Sequence, residues 1–359
     1  MRYLGLDVHC GATVWCLLDD AGEVVERGKL PTTQAALTEL VRRLSEDDEL
    51  LAGQEIGTMS YFVHDVLTAA GVKLLSFNAY QLRMIASSRK KTDKRDAFWI
   101  AKALQTGMTP HPVYVPSGQV RLLRQLLSER DALRCDQKRW LIRAKSSVRA
   151  AGLSVPASRT VESLLAALIA EPAGIDETLA QTLERYGRMH ALVSQELSEL
   201  EAAIARETAD IEAIQRLQTI PAVGRWVAVT IYAWVGEVAR FPSARHLAAY
   251  AGPMTPGELV PSVWQSGDSK RSGGITKQGS PALRRILTQA AHVLLWRCRS
   301  AEAAPLKAIA MRIHTARQRR KIAVVGAARH ILRIAYYVLR DGTVYDPTRL
   351  APAPAEAAE

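Results

Sequence analysis

An α/β N-terminal domain, a long helical hairpin and a mainly α C-terminal domain are predicted by three features of this 359-residue chain. β-type runs open the sequence and then alternate with amphipathic helices. Strand signals vanish between about 117 and 208, and beyond 209 short helices gather around glycine turns.

The first two strands are read over 2–8 and 13–18, joined by the turn His9-Cys10-Gly11-Ala12. Asp19-Asp20-Ala21-Gly22 turns the chain again into a third strand over 23–30. A helix over 33–45, a strand over 50–56, a helix over 60–70 and a strand over 72–77 follow. Strands that alternate with helices after a meander imply parallel strands added to it. In such sheets functional groups collect at strand ends near the switch in strand order.

In the middle, Leu126, Leu133 and Trp140 recur at sevens, and Leu183, Tyr186, Val193, Leu197, Leu200 and Ile204 keep a three/four spacing. Gly152, Pro156, Pro172 and Gly174 punctuate between the two stretches. A long antiparallel hairpin fits, as a spacer, as a dimerisation arm or as packing within one chain. Ile220-Pro221-Ala222-Val223-Gly224 then opens a helix over 225–235, with a second over 243–251 in a helix-turn-helix-like arrangement. Residues 252–280 show no periodicity and read as a long loop. Ser280 and Pro281 supply the N-cap and first position of a helix to about 299, and a final helix covers roughly 319–340. The proposed boundaries are 1–115, 116–208, 209–345 and a disordered tail at 346–359.

Apolar residues make up 48% and aromatics 6%, which excludes a disordered chain, and the formal net charge is +11. The excess gathers at 89–95, 138–149, 270–285 and 312–321. Clustered basic charge is the footprint of a nucleic-acid binder. No run is apolar for the length a spanning helix needs, and Asp7 interrupts the first apolar run. Together these point to a cytoplasmic protein without a membrane role. Four cysteines (Cys10, Cys16, Cys135, Cys298) have no metal-type spacing and are expected to be reduced core thiols.

The run Arg89-Lys90-Lys91-Thr92-Asp93-Lys94-Arg95-Asp96-Ala97 carries the most information. A helix beginning near Thr92 places Asp93 and Asp96 on one face. Neighbouring carboxylates repel unless a cation lies between them, and hard divalent metals with oxygen ligands fill that role. Asp7 in the first strand and Glu55 at the end of the fourth belong to the same sheet end, so four acids form a candidate site for one or two Mg²⁺. The alternative is a solvated, charged helix start. A second candidate is Ser266 in Gln265-Ser266-Gly267-Asp268-Ser269, trailed by Lys270, Arg271 and Lys277 and, on the next helix, Arg284 and Arg285. Serine attacks only when its proton is removed or its oxygen activated, and this loop holds no histidine. On its own it reads as a phosphate-contacting loop.

These motifs together resemble the bacterial insertion-sequence one-ten family of transposases. LGLDVH, Gln54-Glu55-Ile56-Gly57 and KTDKRDA are similar to its three acidic motifs. IPAVG, GEVARFPSARHLAAYAG, the QSG loop, GITKQGSPALRRIL and AARHILRIAYYVLRDGTVYDP are similar to its C-terminal signature, in order. The resemblance covers nearly the whole chain. It implies an RNase H-like (RuvC-like) N-terminal domain, a coiled-coil hairpin and a C-terminal serine transposase domain. It further implies that Asp7, Glu55, Asp93 and Asp96 bind Mg²⁺ while Ser266 forms a covalent link to DNA. Partners implied are the element's DNA ends, a target DNA, a structured guide RNA and a second or fourth copy of the chain, acting at the bacterial nucleoid. Arg89, Lys90, Lys91, Lys94, Arg95, Lys270, Arg271, Lys277, Arg284 and Arg285 are the expected nucleic-acid contacts. Met59-Ser60-Tyr61 and the long segment near 151–180 depart from the family pattern.

Three other readings compete. A RuvC-like junction nuclease would use the same acids with water as nucleophile. A non-catalytic nucleic-acid-binding protein would use only the glycine-turn helices. A sugar-kinase-like ATPase shares the opening meander, but its second phosphate loop and Gly-rich adenosine segment are missing downstream.

Overall fold

A computed structural model describes residues 1–350 apart from 47, 86–92, 117, 172–174, 253–260, 267–268, 276–278 and 319, with backbone alone at 83–85, 261–266, 269–275, 313 and 317. The chain divides into two compact units, Met1–Pro116 and Ser117–Glu359.

The first unit is a five-stranded sheet with helices on both faces. Its strands are β1 (Arg2–Val8), β2 (Ala12–Leu18), β3 (Val24–Pro31), β4 (Leu50–Glu55) and β5 (Lys73–Phe77). Its helices are α1 (Gln34–Leu44), α2 (Ser60–Ala69), α3 (Ala79–Ile85) and α4 (Asp93–Thr106). The order is β3-β2-β1-β4-β5, antiparallel across the meander and parallel from β1 outward. Period-2 alternation sorts the side chains. Leu4, Leu6, Trp15 and Leu17 pack under α1 and α2, whereas Tyr3, Val14, Cys16 and Leu18 join Ala97 and Ala101 of α4 on the other face. Thr33 caps α1 by accepting from the Ala36 N–H, and Leu37, Leu40, Val41 and Leu44 form its buried stripe. Burial of each such side chain contributes about 1.5–3 kcal/mol.

Glycines set how close α4 lies. Gly5 and Gly53 are register partners on β1 and β4. A Cβ on Gly5 would lie 2.0 Å from the Ala97 carbonyl oxygen, and one on Gly53 would lie 2.9 Å from Leu104 Cδ1. The helix backbone rests on this pair, with small Ala97 and Ala101 against β1 and Ile100 and Leu104 against β4 and β5.

Among its described residues the second unit is helical except for one hairpin. α5 (Gly118–Ala150), α6 (Val161–Ile169) and α7 (Glu177–Glu207) come first, then α8 (Glu212–Leu217), α9 (Arg225–Val235) and α10 (Ala244–Tyr250). β6 (Pro261–Ser266) and β7 (Ser269–Ile275) follow, and α11 (Pro281–Trp296), α12 (Ala304–Arg317) and α13 (Arg320–Asp341) close the unit. α5 and α7 run antiparallel, since Arg130 meets Glu201 while Gln137, seven residues later, meets Ser194, seven earlier. Arg130 is buried, stacked 4.0 Å over the Trp226 ring and bonded to Glu201 at 2.8 Å, which satisfies a charge that burial would otherwise penalise. The buried stripe of α5 is Val120, Leu123, Leu127, Arg130, Ala144 and Val148, so Leu126, Leu133 and Trp140 only flank it.

Several expectations need correction. Residues 252–280 are not all loop, because β6 and β7 pair antiparallel within them. Ser, Gln and Gly there dilute the strand pattern, and pairing with a partner strand supplies what local propensity lacks. α12 carried no clear sequence signal. Of the cysteines, Cys16 is buried while Cys10 and Cys135 are exposed, so the group is not a set of core thiols. Pro347–Leu350 forms a 3₁₀ turn, and the rest of the expected tail, 351–359, lies outside the described residues. Among the described residues one helix, α13, is long and apolar enough by length and composition to cross a membrane. Its apolar face is the core of the second unit: Ala323, Val324, Ala327, Ile331, Leu332 and Ala335 are all buried.

His330 on α13 is largely buried, and its pKa is pushed down to about 4 by burial and then by Arg333, Arg329 and Arg312. The unfolded chain therefore binds the extra proton between the ordinary value near 6.5 and about 4. Stability is full above that window and falls as the pH drops through it, by up to roughly 3 kcal/mol. His330→Gln is expected to flatten this part of the acid limb. Urea unfolding of both proteins at neutral pH and at about pH 4.5 checks it, and parallel acid limbs would contradict the assignment.

Candidate metal centre

Three elements converge at the carboxyl end of β1. Asp7 is the penultimate residue of β1, on the odd-numbered face that carries Tyr3 and Gly5, so it points toward α4. His9 follows in the turn to β2, and its Nε2 lies 3.2 Å from Asp7 Oδ2 and 3.8 Å from Asp93 Oδ2. One ligand atom from each of Asp7, His9 and Asp93 falls within 4.8 Å of the others. Asp93 opens α4, where a carboxylate also meets the positive end of the helix dipole.

The electrostatics mark Asp7. Its side chain is 16% exposed, against 61% for Asp93 and 57% for His9. Burial raises the Asp7 pKa above the usual carboxylate range, His9 opposes the rise, and Asp93 and Asp96 add to it by repulsion. Asp96 therefore acts on Asp7 through space although it is not one of the three closest groups. Glu55 ends β4, the parallel neighbour of β1, in alternation with Leu51 and Gly53, which places it on the α4 face.

His9 is the residue that sequence reasoning passed over. Its signal was the Asp-x-His spacing, which returns a side chain to the same side of an extended strand. In the sequence it stands at the end of LGLDVH and opens the turn His9-Cys10-Gly11-Ala12. The neighbouring Gln54 faces the opposite side, where its Nε2 donates to the Ser60 carbonyl and the Ser76 hydroxyl.

The basic residues divide. Lys94 and Arg95 are exposed on the first turn of α4 beside the cluster, while Arg89, Lys90 and Lys91 lie outside the described residues. In the second unit Ser266 is the last residue of β6 and pairs with Ser269 across the tip of the hairpin, rather than sitting in an irregular loop. Lys270 and Arg271 stand on β7 opposite Gln265 and Trp264, and Lys277 lies outside the described residues. Arg284 on α11 reaches the Ala251 carbonyl, and Arg285 is ion-paired with Asp131 of α5. That pairing leaves Arg285 less available to a phosphate than an unpaired cation would be.

A family model of the IS110-group DEDD transposase domain matches residues 4–151, and a model described as the transposase of the IS116/IS110/IS902 family matches residues 214–307. Similar proteins are also named for insertion sequences. The transposase for insertion sequence element IS1111A of Coxiella burnetii is 25% identical over 302 residues, 82% of this chain and 78% of that protein. The transposase for IS1328 of Yersinia enterocolitica is 27% identical over 194 residues, and the chain spans only about half the length of that relative (55%). A protein of insertion element IS110 from Streptomyces coelicolor is 31% identical over 135 residues, 36% of this chain. The match over residues 4–151, which takes in the sheet and its acidic cluster, and the second match over 214–307 define the class of insertion-sequence transposases. The chain belongs to the IS110 family of that class.

Proposed function

We propose that this protein is a DNA recombinase that joins and separates an element's ends by transesterification, with Mg²⁺ at the β1–α4 cluster and Ser266 as nucleophile. The observation that carries the metal half is the meeting of Asp7, His9 and Asp93 within 4.8 Å. The donor set fits a hard divalent cation: carboxylates dominate, and the least exposed of them is held above its usual pKa by burial, with repulsion from Asp93 and Asp96 adding to the rise. Asp7 and Asp93 would hold the ion, with Asp96 and Glu55 completing an acidic quartet and His9 orienting Asp7. When bound, such an ion polarises a phosphoryl oxygen and stabilises the charge that develops on attack.

The protein's own groups do the rest. Ser266 Oγ forms a bond to phosphorus, the bond to a deoxyribose oxygen breaks, and the serine proton passes to the departing sugar hydroxyl. The phosphodiester becomes a phosphoserine ester, so a sugar hydroxyl can reverse the step without ATP. In this reading Lys94 and Arg95 contact phosphates near the ion, and Lys270, Arg271 and Arg284 contact them in the second unit. Arg89, Lys90, Lys91 and Lys277 are further proposed contacts, and Arg285 joins them only by giving up its pairing with Asp131. The RuvC-like description of the first unit, a coiled-coil role for α5 and α7 as a separate arm, assembly as a dimer or tetramer and action at the bacterial nucleoid belong to the same proposal. So does a structured guide RNA, for which the net charge of +11 is the supporting feature.

The test is adduct trapping with end-bearing DNA. Wild type is expected to yield a protease-sensitive protein–DNA species in divalent metal, and Ser266→Ala none, with recombination down by roughly 10³-fold or more. Cleavage that survives Ser266→Ala without any adduct would select the water-using nuclease instead.

A further inference from the structure

A cavity with no part in the site described above lies in the helical unit, away from the serine hairpin in sequence. α11 and α13 enclose a cavity of about 390 Å³ lined by Thr288, His292, Trp296, Arg320, Lys321, Val324 and Val325. That volume lies toward the small end of ligand sites, ~300–1,000 Å³. Its two sides have opposite chemistry. On α11, His292 and Trp296 are one turn apart with ring centroids 5.1 Å apart and planes inclined at 34°, a tilted aromatic pair. Trp296 keeps 44% of its surface exposed, a large apolar area left uncovered at the end of an otherwise well-packed helix. On α13, Arg320 and Lys321 are exposed at the helix start, with Val324 and Val325 one turn further along.

A wall that is apolar and aromatic on one side and doubly cationic on the other fits a ligand with a flat π-face and an anion a few ångströms away. A nucleotide has that make-up. In a duplex both faces of a base are covered by its neighbours, so an aromatic platform of this kind serves unpaired nucleotides. We infer that this cavity takes one unpaired nucleotide of a single-stranded nucleic acid, its base stacked on Trp296 beside His292 and its phosphate on Arg320 and Lys321. The Thr288 hydroxyl already donates to the Arg284 carbonyl at 2.6 Å, so toward a bound nucleotide it serves only as an acceptor. The inference rests on the nucleic-acid reading above, but it uses none of the residues of the metal cluster or the serine hairpin. It assigns the α11–α13 face a role in holding a single strand.

The experiment measures affinity of the full-length protein for a labelled oligothymidylate, an oligouridylate and a blunt duplex of equal length. Trp296→Ala is expected to weaken single-strand binding roughly ten- to a hundredfold, the loss typical of one stacked base, and to change duplex binding less than about twofold. Trp296→Phe, which keeps a π-face, should restore most of the loss. Replacing Arg320 and Lys321 together with Gln should lower the salt slope of single-strand affinity by about 1.4, two contacts at ~0.7 each. The arm that loses more, thymidylate or uridylate, identifies whether the strand is DNA or RNA. Unchanged single-strand affinity in Trp296→Ala, or an equal loss on the duplex, overturns the inference. If wild type binds none of the three, the nucleic-acid reading falls as well.

Discussion

Replacement of Gly5 by alanine is expected to cost the N-terminal unit about 3 kcal/mol or more and to separate α4 from β1. The added methyl would lie 2.0 Å from the Ala97 carbonyl oxygen and 2.6 Å from the Ala101 nitrogen. Both are backbone atoms, so no rotamer change relieves the clash, and the whole helix must shift. Overpacking of this kind costs ~1–3 kcal/mol even where side chains can yield. Gly53→Ala is the internal control. Its methyl would meet Leu104 Cδ1 at 2.9 Å and Ile100 Cγ2 at 3.0 Å, which are side-chain tips that can move. Its cost should be the smaller of the two. Because α4 carries Asp93 to Asp7, the Gly5→Ala protein should also lose divalent-metal affinity. Denaturant unfolding and metal titration of both variants check this, and a Gly5→Ala protein of wild-type stability would mean that α4 does not rest on β1.

Asp7→Asn is expected to separate stability from function. The folded-state pKa of Asp7 is raised, so its ionised form costs stability. That cost appears as the pH rises above the ordinary carboxylate value near 4 and is complete above the folded pKa. Below that window the protonated acid carries no cost. The asparagine variant should therefore be at least as stable as wild type at neutral pH without metal, and its advantage should disappear in acid. Divalent metal should raise the melting temperature of wild type but not of the variant. Recombination should fall by roughly 10³-fold or more, ~4 kcal/mol of barrier. Thermal melts with and without Mg²⁺ at two pH values, paired with the recombination assay, give the comparison. A variant that keeps metal-induced stabilisation and activity would remove Asp7 from the site. A variant less stable than wild type at neutral pH would contradict the electrostatic account.

Much of the first unit was legible because its cues are local. Alternation in RYLGLDV and ATVWCLL marks strands, Thr33 marks a helix start, and the apolar run after Asp96 marks α4. Asp93 and Asp96 were conspicuous as paired acids among cations. The glycines were not, because Gly5 and Gly53 read as weak points in strands until a helix backbone is found lying on them. His9 was hidden for a related reason: its Asp-x-His spacing runs out of the strand into a turn, and only its 3.2 Å approach to Asp7 gives it a role. Arg285 shows the converse. It stood out as a phosphate contact, yet a carboxylate 154 residues earlier in the chain already pairs with it.

The sequence by itself determined the alternation of strand and helix in the first unit, the helical character of the rest, the family and the chemistry available to each candidate residue. Those properties follow from side-chain type and near-neighbour spacing. The tertiary structure alone decided which groups come together: Asp7 with His9 and Asp93 at one strand end, and Trp296 and Arg320, on two helices, in the lining of one cavity. It also decided that Ser266 ends a strand in a paired hairpin. The physical reason is that approach between distant segments depends on what each surface leaves room for. A missing Cβ, a small alanine or a competing ion pair sets that distance, and none of them announces its partner along the chain.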